Sequence, residues 1–401
     1  MTRRLYYEDP YIKEFYGSII SVEEKENGVH IQLDQTAFYP EGGGQPCDLG
    51  IIGDAAVSLT YEENGKVVHV TDKIPNYTEK VPCRIDWNRR FDHMQQHLGQ
   101  HILSAVCAEI FHADTVGFHI GSTNVTIDIN KVLELKDIEK LESLTNQKVF
   151  ENKQVDAFYP SQEEFQTLSL RKLPQVKTGI RIVRIEGVDV NACCGTHPAR
   201  TGEVGIIKVI RWEKYKGGLR IEFACGVRAL RDYSWKNDAI NILAISLGCK
   251  DLDVVQKLNV LNDKLAKIHK ENSELKDKIL DIEARELFAA SGKENNISII
   301  QAIFSNRDLE EVRLLASKIT VLDSAVVLFG IKNQENAQIL FCRSKELNHI
   351  SARELFKESV ALLDGKGGGT DLMAQGGGPS IENLETALEL ACTKLKIAFG
   401  E

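Results

Sequence analysis

The sequence predicts an α+β protein with four regions: a small N-terminal β-barrel, an α+β domain, a long coiled-coil helix and a C-terminal α/β domain. Three observations lead to this fold class. The first 90 residues alternate apolar and polar side chains around Asn-Gly pairs, which is typical of β-hairpins. A heptad pattern occupies residues 250–290. The segments on either side of it mix helical and strand periodicity.

Residues 1–90 are predicted to form short strands of a small barrel or sandwich, and we favour the barrel. The strand-like segments are SIISVEEK, GVHIQLD, AAVSLTYEENGKVVHVTD and EKVPCRIDW. Asn-Gly pairs at 27–28 and 64–65 suit the two-residue turns of β-hairpins.

Residues 91–240 combine helices and strands. Helical periodicity covers 91–111, where Asp92 is the candidate N-cap, and a second helix covers LKDIEKLESLTNQKVFEN. The segments GIRIVRIEG, VGIIKVIRW and LRIEFACG are predicted to be strands of one sheet. This region is therefore expected to be an α+β domain.

The heptad pattern of residues 250–290 predicts a coiled coil. Apolar side chains fill two interleaved series of positions, and a single polar Asn272 interrupts them, as in coiled coils whose register an asparagine fixes. The apolar positions are Val254, Leu258, Leu261, Leu265, Ile268, Leu275, Ile279 and Ile282. The chain has no second heptad segment to serve as partner, so we expect a homodimer through this helix and the C-terminal domain. The alternative is an intramolecular helical hairpin.

Residues 293–401 are predicted to form an α/β domain. NISIIQAIF, SAVVLFGI and AQILFCR are strand-like, and NRDLEEVRLLASKI and IENLETALELACTKLKIAF are helical. Between them lies the glycine-rich loop DGKGGGTDLMAQGGGPS. Its amides and Lys366 could form an anion site, although the alternative is a structural hinge. The Walker pattern GxxxxGK[ST] does not occur here.

Composition is that of a globular protein, with 43% hydrophobic and 27% charged residues. No stretch approaches the ~20 apolar residues of a membrane span, and the N-terminus lacks a signal-peptide pattern. Nine cysteines are scattered along the chain, which favours a reducing, cytoplasmic location. The net charge is −9, yet residues 171–231 hold 13 Lys and Arg against 5 Asp and Glu. Such a basic island predicts a polyanionic partner, or else a solvated mixed surface.

Histidines at one-turn spacing mark a candidate metal site. His93, His97 and His101 follow one another at intervals of four residues in FDHMQQHLGQHIL. Each helical residue advances by ~100°, so they form a ridge beside the apolar face. Two imidazoles at i and i+4 can bind one metal ion, and we assign His93 and His97 to it. His101, one turn further along, is then either a residue in the wall of the site or an ordinary helix residue without a functional role.

The segment NACCGTHPARTGEVG supplies a second pair, Cys193 and His197, also four residues apart. Gly195 and Pro198 disfavour a helix here, so a loop is expected. One thiolate and three imidazoles form a set that Zn²⁺ accepts readily. The cysteine doublet leaves the sulfur ambiguous by one position; Cys193 is favoured by its spacing, and Cys194 is the competitor.

Taken together, these motifs resemble the editing domain of alanyl-tRNA synthetase, and more closely the long form of the free-standing AlaX family of editing proteins. In that family two helical histidines precede a CxGTH loop. TAFYPEGGGQPCDLG at 36–50 is similar to the signature FYPxGGGQxxDxG, and GKGGGTDLMAQGGG is similar to the glycine-rich loop of the DHH-associated domain. The resemblance covers essentially all 401 residues. Nothing in the chain resembles an aminoacylation core, so the resemblance implies editing without charging.

The resemblance also implies roles for further residues. His119 and Gln45 are the catalytic candidates, although a hydrogen-bonded strand histidine is the alternative for His119. The residues expected to bind substrate are Thr36, Gly42, Gly43, Gly44 and His101, although the glycines could instead form a tight turn between two strands. Independently of the resemblance, the basic residues of RWEKYKGGLR are expected to bind acceptor-stem phosphates of the substrate, with a solvated hairpin as the alternative: Arg211, Lys214, Lys216 and Arg220. The residues expected to bind tRNA in the C-terminal domain are Lys366, Gly367, Gly368 and Gly369.

The implied function is hydrolysis of the ester in alanine tRNA mischarged with serine, with glycine as the second candidate. A pocket that hydrogen-bonds a hydroxyl rejects the analogue lacking it far better than an apolar pocket separates a methylene. Four protein ligands are usual for structural zinc, so the competing hypothesis is a tRNA-binding protein without turnover. A third is a metallohydrolase of small esters, whose activity would not depend on tRNA.

Overall fold

The computed structural model describes residues 2–76, 79–174 and 178–398. It divides the chain into two compact units, Met1–Ser246 and Leu247–Glu401. Both units combine helices and sheets, so the predicted α+β class is confirmed. The finer boundaries, at residues 90 and 290, stay predictions.

The first unit begins with strands that close into a barrel in the order β2-β3-β7-β6-β5-β8. Alternate side chains of β3, such as Ile31 and Leu33, are fully buried in it. Asn64 and Gly65 both have positive φ, 51° and 77°, as a two-residue hairpin turn requires. The elements are β1 Arg3–Arg4, α1 Leu5–Glu8, β2 Glu14–Lys25, β3 Gly28–Leu33, β4 Gln35–Thr36, β5 Gly50–Ile52, β6 Ala55–Glu63, β7 Lys66–Thr71 and β8 Lys80–Ile85.

The rest of this unit surrounds one long helix. The elements are α2 Trp87–Phe111, β9 Thr115–Ile120, β10 Val125–Ile129, α3 Leu135–Phe150, β11 Val155–Phe158, α4 Gln162–Thr167, β12 Ile182–Ile185, β13 Asp189–Ala192, β14 Ile207–Tyr215, β15 Gly218–Cys225 and α5 Gly226–Leu247. A four-stranded sheet, β14-β15-β10-β9, buries one face against α2 and α3.

The prediction that three strands share one sheet is wrong. GIRIVRIEG supplies β12, the middle of a separate three-stranded sheet, β11-β12-β13, whereas β14 and β15 belong to the four-stranded sheet. Alternation of apolar and polar residues specifies a half-buried strand but not its partner. The second sheet carries β13 directly into the loop that begins at Cys193.

Helix α2 begins earlier than predicted. Its N-cap is Asp86, whose side chain accepts from the Arg89 amide at 3.2 Å. Asp92 instead binds the Arg228 guanidinium, with a shortest distance of 2.6 Å. The histidine ridge is also buried rather than beside the core, because the loop between β4 and β5 and the Cys193 loop contact the polar side of the helix.

The second unit has a six-stranded sheet in the order β16-β17-β18-β19-β21-β20. The elements are α6 Val254–Ala290, β16 Gly292–Glu294, β17 Ile297–Ser305, α7 Leu309–Leu322, β18 Ala325–Lys332, β19 Ala337–Arg343, α8 Ala352–Ala361, β20 Lys366–Gly369, β21 Met373–Gly378 and α9 Leu384–Ala398. One core joins the sheet to α7 and the end of α6, and a second joins it to α8 and α9.

The glycine-rich stretch is a β-hairpin at the sheet edge and not the predicted loop. Strands β20 and β21 pair antiparallel, with Gly367 opposite Gly376. A side chain at Gly367 or Gly376 would overlap the opposite backbone and the Phe356 ring. Glycine is therefore needed because two strands and a helix approach closely.

Among the described helices, none is long and apolar enough to cross a membrane.

Candidate metal centre

Four side chains from two parts of the first unit meet at one point. His97 and His101 extend from α2, and Cys193 and His197 from the loop after β13. Their ligand atoms all lie within 4.8 Å of one another. The Cys193 Sγ lies 3.4 Å from His97 Nε2 and 3.6 Å from His197 Nε2.

This arrangement fits a tetrahedral zinc ion. Ligand atoms at ~2.3 Å (sulfur) and ~2.0 Å (nitrogen) from zinc are about 3.5 Å apart, close to the distances found here. His101 Nδ1 is bonded to Asp189, and His101 Nε2 is buried without a hydrogen-bond partner among the described residues. That nitrogen is therefore available as a ligand.

The cluster differs from the predicted set at one position: His101 takes the place of His93. His93 lies one helical turn before His97 and is not part of the cluster in the described structure. It is 3% exposed, and burial, together with Arg89, lowers its pKa to about 4. Three equally spaced histidines offer two equivalent pairs, so spacing alone could not choose between them.

Asp189 orients the His101 ring. Its Oδ2 lies 3.0 Å from His101 Nδ1, and Arg171 binds the same carboxylate at 2.9 and 3.1 Å. All three side chains are largely buried. A carboxylate behind a histidine fixes its tautomer and raises its basicity as a ligand. Sequence reasoning missed Asp189 and Arg171, which belong to no motif.

Gln45 holds His97 and the loop together. Its Oε1 accepts from the Thr196 amide at 3.0 Å and lies 2.9 Å from His97 Nδ1, while its Nε2 donates to Thr196 Oγ1 at 2.8 Å. A Cβ at Gly195 would overlap the His97 ring. In the GTH motif, Gly195 therefore lets the loop approach the His97 ring, and Thr196 binds the Gln45 side chain that supports that ring.

The cluster favours a thiolate. Although burial opposes ionisation, the imidazoles of His97, His197 and His101 hold the pKa of the Cys193 thiol well below its usual range. Cys194 keeps much of its surface exposed, and the partial desolvation of its thiol, together with the nearby Cys193, raises its pKa. The structure thus directs Cys193 and not Cys194 into the cluster.

A cavity of about 210 Å³ opens beside the cluster. His97, His101 and Cys193 form one wall. Polar side chains form much of the remainder, namely Gln100, Thr115, Arg171, Lys172 and Asn191. A metal in this cluster would therefore face a polar space large enough for a small amino-acid ester.

The other residues predicted around the pocket differ in position. Gly43 lines the cavity, and a side chain at Gly44 would overlap Phe118. Thr36 is buried in the barrel, with its hydroxyl 2.9 Å from His69 Nε2. His119 is exposed on β9, and its neighbour Phe118 lines the cavity instead. His119 is thus neither a member of the cluster nor part of the cavity lining.

The predicted basic residues lie on the β14–β15 hairpin. Arg211 is paired with Glu222, and Arg220 binds Asp128 at 2.7 Å and stacks on Tyr215. Lys214 and Lys216 are exposed near the turn. Arg171, Arg184 and Arg228 also form ion pairs, and Lys177 lies outside the described residues. The field of the basic island is therefore weaker than its composition suggests.

Lys366, Gly367, Gly368 and Gly369 form the edge strand β20 of the second unit, and all four are exposed. A Cβ added at Gly368 would have no other atom within 4 Å, so this position could accept a side chain or a ligand.

Two family models match the chain. The threonyl and alanyl tRNA synthetase second additional domain matches residues 180–222, which include Cys193 and His197. The DHHA1 domain matches residues 289–396. The fold, the candidate metal site and the first of these matches define a protein related to the threonyl and alanyl tRNA synthetases.

Relatives narrow this class. The chain is 35% identical over 394 residues to the alanyl-tRNA editing protein AlaX-L of Pyrococcus horikoshii, covering 94% of each chain. It is 32% identical to the alanine–tRNA ligase of Methanobrevibacter smithii, covering 97% of this chain and 45% of that enzyme. The chain thus spans less than half of that ligase. The chain belongs to the family of alanyl-tRNA editing proteins, which confirms the resemblance and the predicted enzyme class, aminoacyl-tRNA deacylase.

Among solved structures, the C-Ala domain of Aquifex aeolicus alanyl-tRNA synthetase matches 28% of this chain and 98% of its own, at 25% identity. The TM-score of 0.25 is too low to relate the two folds.

Proposed function

We propose that this protein hydrolyses the ester of alanine tRNA mischarged with serine, using a zinc ion held by His97, His101, Cys193 and His197. The observation that carries the proposal is the meeting of these four groups at the wall of a polar cavity. Four protein ligands fill a tetrahedron, so catalysis needs a fifth coordination position or a ligand that the substrate can displace. The cluster borders open space from which an aminoacyl group could reach the ion.

The residues of the chain would hold the ion and orient the aminoacyl ester, and the ion would supply Lewis acidity or a water of lowered pKa. Asp189 and Gln45 keep the His101 and His97 rings turned so that one nitrogen of each faces the cluster. Rigid ligands of this kind keep the site ready before the substrate arrives.

Selection of serine over alanine is supported by the cavity lining. Gln100 Nε2 donates to Ser104 Oγ at 2.8 Å, and Thr115 Oγ1 donates to the same oxygen at 2.7 Å. A serine hydroxyl entering here could exchange hydrogen bonds with this polar wall, which the alanine methyl group cannot do. Glycine lacks the hydroxyl too and is the second candidate substrate.

The remaining parts of the proposal concern tRNA and assembly. The β14–β15 hairpin would meet acceptor-stem phosphates, and the β20–β21 edge with Lys366 would bind the tRNA backbone. Helix α6 would form a homodimeric coiled coil. We keep the four regions 1–90, 91–240, 250–290 and 293–401 as the proposed domains.

The decisive experiment measures initial rates of hydrolysis of Ser-, Gly- and Ala-charged alanine tRNA, with the zinc content of the same samples. We expect rapid hydrolysis of the seryl ester and slow hydrolysis of the alanyl ester. The His101→Gln protein should lose both zinc and activity. His93→Gln is the matched control on the same helix, and it should retain both.

Loss of zinc in His93→Gln with retention in His101→Gln would refute the ligand set. A tRNA-binding protein with a structural zinc is the second candidate function, because four protein ligands fill a tetrahedron. It predicts that the zinc-loaded wild type binds tRNA and hydrolyses none of the three esters.

A further inference from the structure

Two tyrosines and two arginines form a cluster next to the metal-binding loop, which we call the aromatic corner: Tyr7, Tyr159, Arg4 and Arg181. Tyr7 belongs to α1, Tyr159 follows β11 and Arg181 precedes β12. The ring centroids of the two tyrosines are 6.5 Å apart, and the rings are inclined at 77°. Three separate elements therefore present aromatic and cationic groups at one place.

The aromatic corner adjoins the metal centre. Arg181 Nη1 donates to the carbonyl oxygens of Cys193 and Gly195 at 3.0 and 2.9 Å. The aromatic corner is therefore in direct contact with the backbone of the loop that carries Cys193 and His197.

The corner is both accessible and held in place. Tyr159 is 56% exposed and Tyr7 is half-buried. The Arg181 guanidinium lies 4.9 Å from the Tyr7 ring centroid, and Arg4 lies 6.0 Å from it on a side chain anchored to Glu62. Tyrosine combines a flat apolar ring with a polar hydroxyl, and it is enriched at contact surfaces for that reason.

We propose that the aromatic corner binds an unpaired nucleotide at the 3′ end of the tRNA, by stacking its base on Tyr159 or Tyr7. Single-stranded bases are recognised by aromatic faces and guanidinium planes. The two inclined rings would let a base stack on one while meeting the edge of the other. The buried Arg181 guanidinium lies against the Tyr7 ring and helps to hold it in position for such stacking.

The position of the corner supports this occupant. The scissile ester is on the ribose of the last nucleotide, so a substrate at the metal centre must bring its terminal, unpaired bases to the rim of the Cys193 loop. The inference rests on the proposed function only in naming that substrate. The alternative occupant, a double-stranded stem, would offer no free base face to the rings.

The experiment compares equilibrium binding of deacylated tRNA with an intact CCA end and of the same tRNA lacking CCA. The variants are Tyr159→Leu, Tyr159→Phe and the control Tyr16→Leu, which removes a similarly exposed ring (62%) from β2. We expect Tyr159→Leu to weaken binding of the intact tRNA about tenfold. Tyr159→Phe and Tyr16→Leu should stay within about twofold of wild type, and truncated tRNA should bind all four proteins equally.

Two results would overturn the inference: equal binding of intact tRNA by wild type and Tyr159→Leu, or an equal loss with both tRNAs. Zinc content of each variant checks that the loop is intact. The test requires no turnover. A wild type that prefers the CCA end but does not hydrolyse the ester would refute only the proposed function. Unchanged tRNA binding and unchanged hydrolysis in Tyr159→Leu would refute only the proposal that the aromatic corner binds a base.

Discussion

Asp189 is the buried residue on which the orientation of His101 depends. Its carboxylate bridges His101 and Arg171, and although burial opposes its ionisation, the bonds to His101 and Arg171 lower its pKa. We expect Asp189→Asn to weaken zinc binding about 10- to 100-fold, because the neutral amide supports the imidazole less well. Competition with a chelator of known affinity measures the change.

Asp156→Asn is the matched control for this prediction. Asp156 pairs with Arg184 at 3.0 Å on the same small sheet, but it is partly exposed and does not touch the cluster. The zinc affinity of the Asp156→Asn protein should equal that of the wild type. If the two variants bind zinc equally well, the carboxylate behind His101 has no role in metal binding.

At the residue scale, motifs located the centre but not all of its members. Cys193 and His197 are in the cluster because a one-turn spacing in a tight loop leaves little freedom. His93 was predicted where the structure has His101, because a helix repeats the same spacing along its length. Asp189 and Arg171 could not be predicted, since their roles depend on how β13 folds beside α2. Gln45 was foreseen near the pocket, yet it supports His97 from beneath.

At the element scale, the barrel contains a histidine that should make the first unit sensitive to acid. His69 is fully buried on β7, with Nδ1 near the Ile31 carbonyl oxygen and Nε2 near Thr36. Burial lowers its pKa to about 4, whereas an unfolded histidine has a pKa of ~6.5. Below pH 6.5 the unfolded chain binds the proton more readily. Stability is therefore full above pH 6.5 and is lost as the pH falls toward 4.

We predict that His69→Gln loses less stability than wild type between pH 7 and pH 5, by about 2 kcal/mol. Denaturant unfolding followed by tryptophan fluorescence reports this unit alone, because Trp87, Trp212 and Trp235 all lie in it. His119→Gln, which removes an exposed histidine, should keep the wild-type pH dependence. Parallel pH curves for wild type and His69→Gln would show that His69 does not titrate in this way.

Local pattern predicted most elements but not their partners. Asn-Gly turns and alternation gave the hairpins of the barrel, where neighbours in sequence pair. β12 was assigned to the wrong sheet, because its partners β11 and β13 are chosen by tertiary packing. The glycine-rich hairpin was missed because glycine normally weakens a strand. Here the close approach of β20, β21 and Phe356 requires it.

At the scale of the whole molecule, helix α6 has an apolar face that the described residues leave exposed. Its last turns bury Leu280 and Ala284 against α7. The heptad series faces elsewhere, and six of its apolar side chains are 43–61% exposed: Leu261, Leu265, Ile268, Leu275, Ile279 and Ile282. A contiguous apolar stripe of this length is a common mark of an association surface.

We predict that Ile268→Glu dissociates the proposed dimer, whereas Gln256→Glu, which adds the same charge to α6 away from the heptad series, does not. Each copy would bring an unpaired carboxylate into the apolar seam, at a cost of ~3 kcal/mol or more. The dimer Kd should therefore rise at least about a hundredfold. Sedimentation equilibrium over a range of protein concentrations measures it. Because the seam is remote in sequence from the metal ligands, zinc content should not change. A wild type that sediments as a monomer, or an Ile268→Glu protein that stays dimeric, would show that the exposed series serves another purpose.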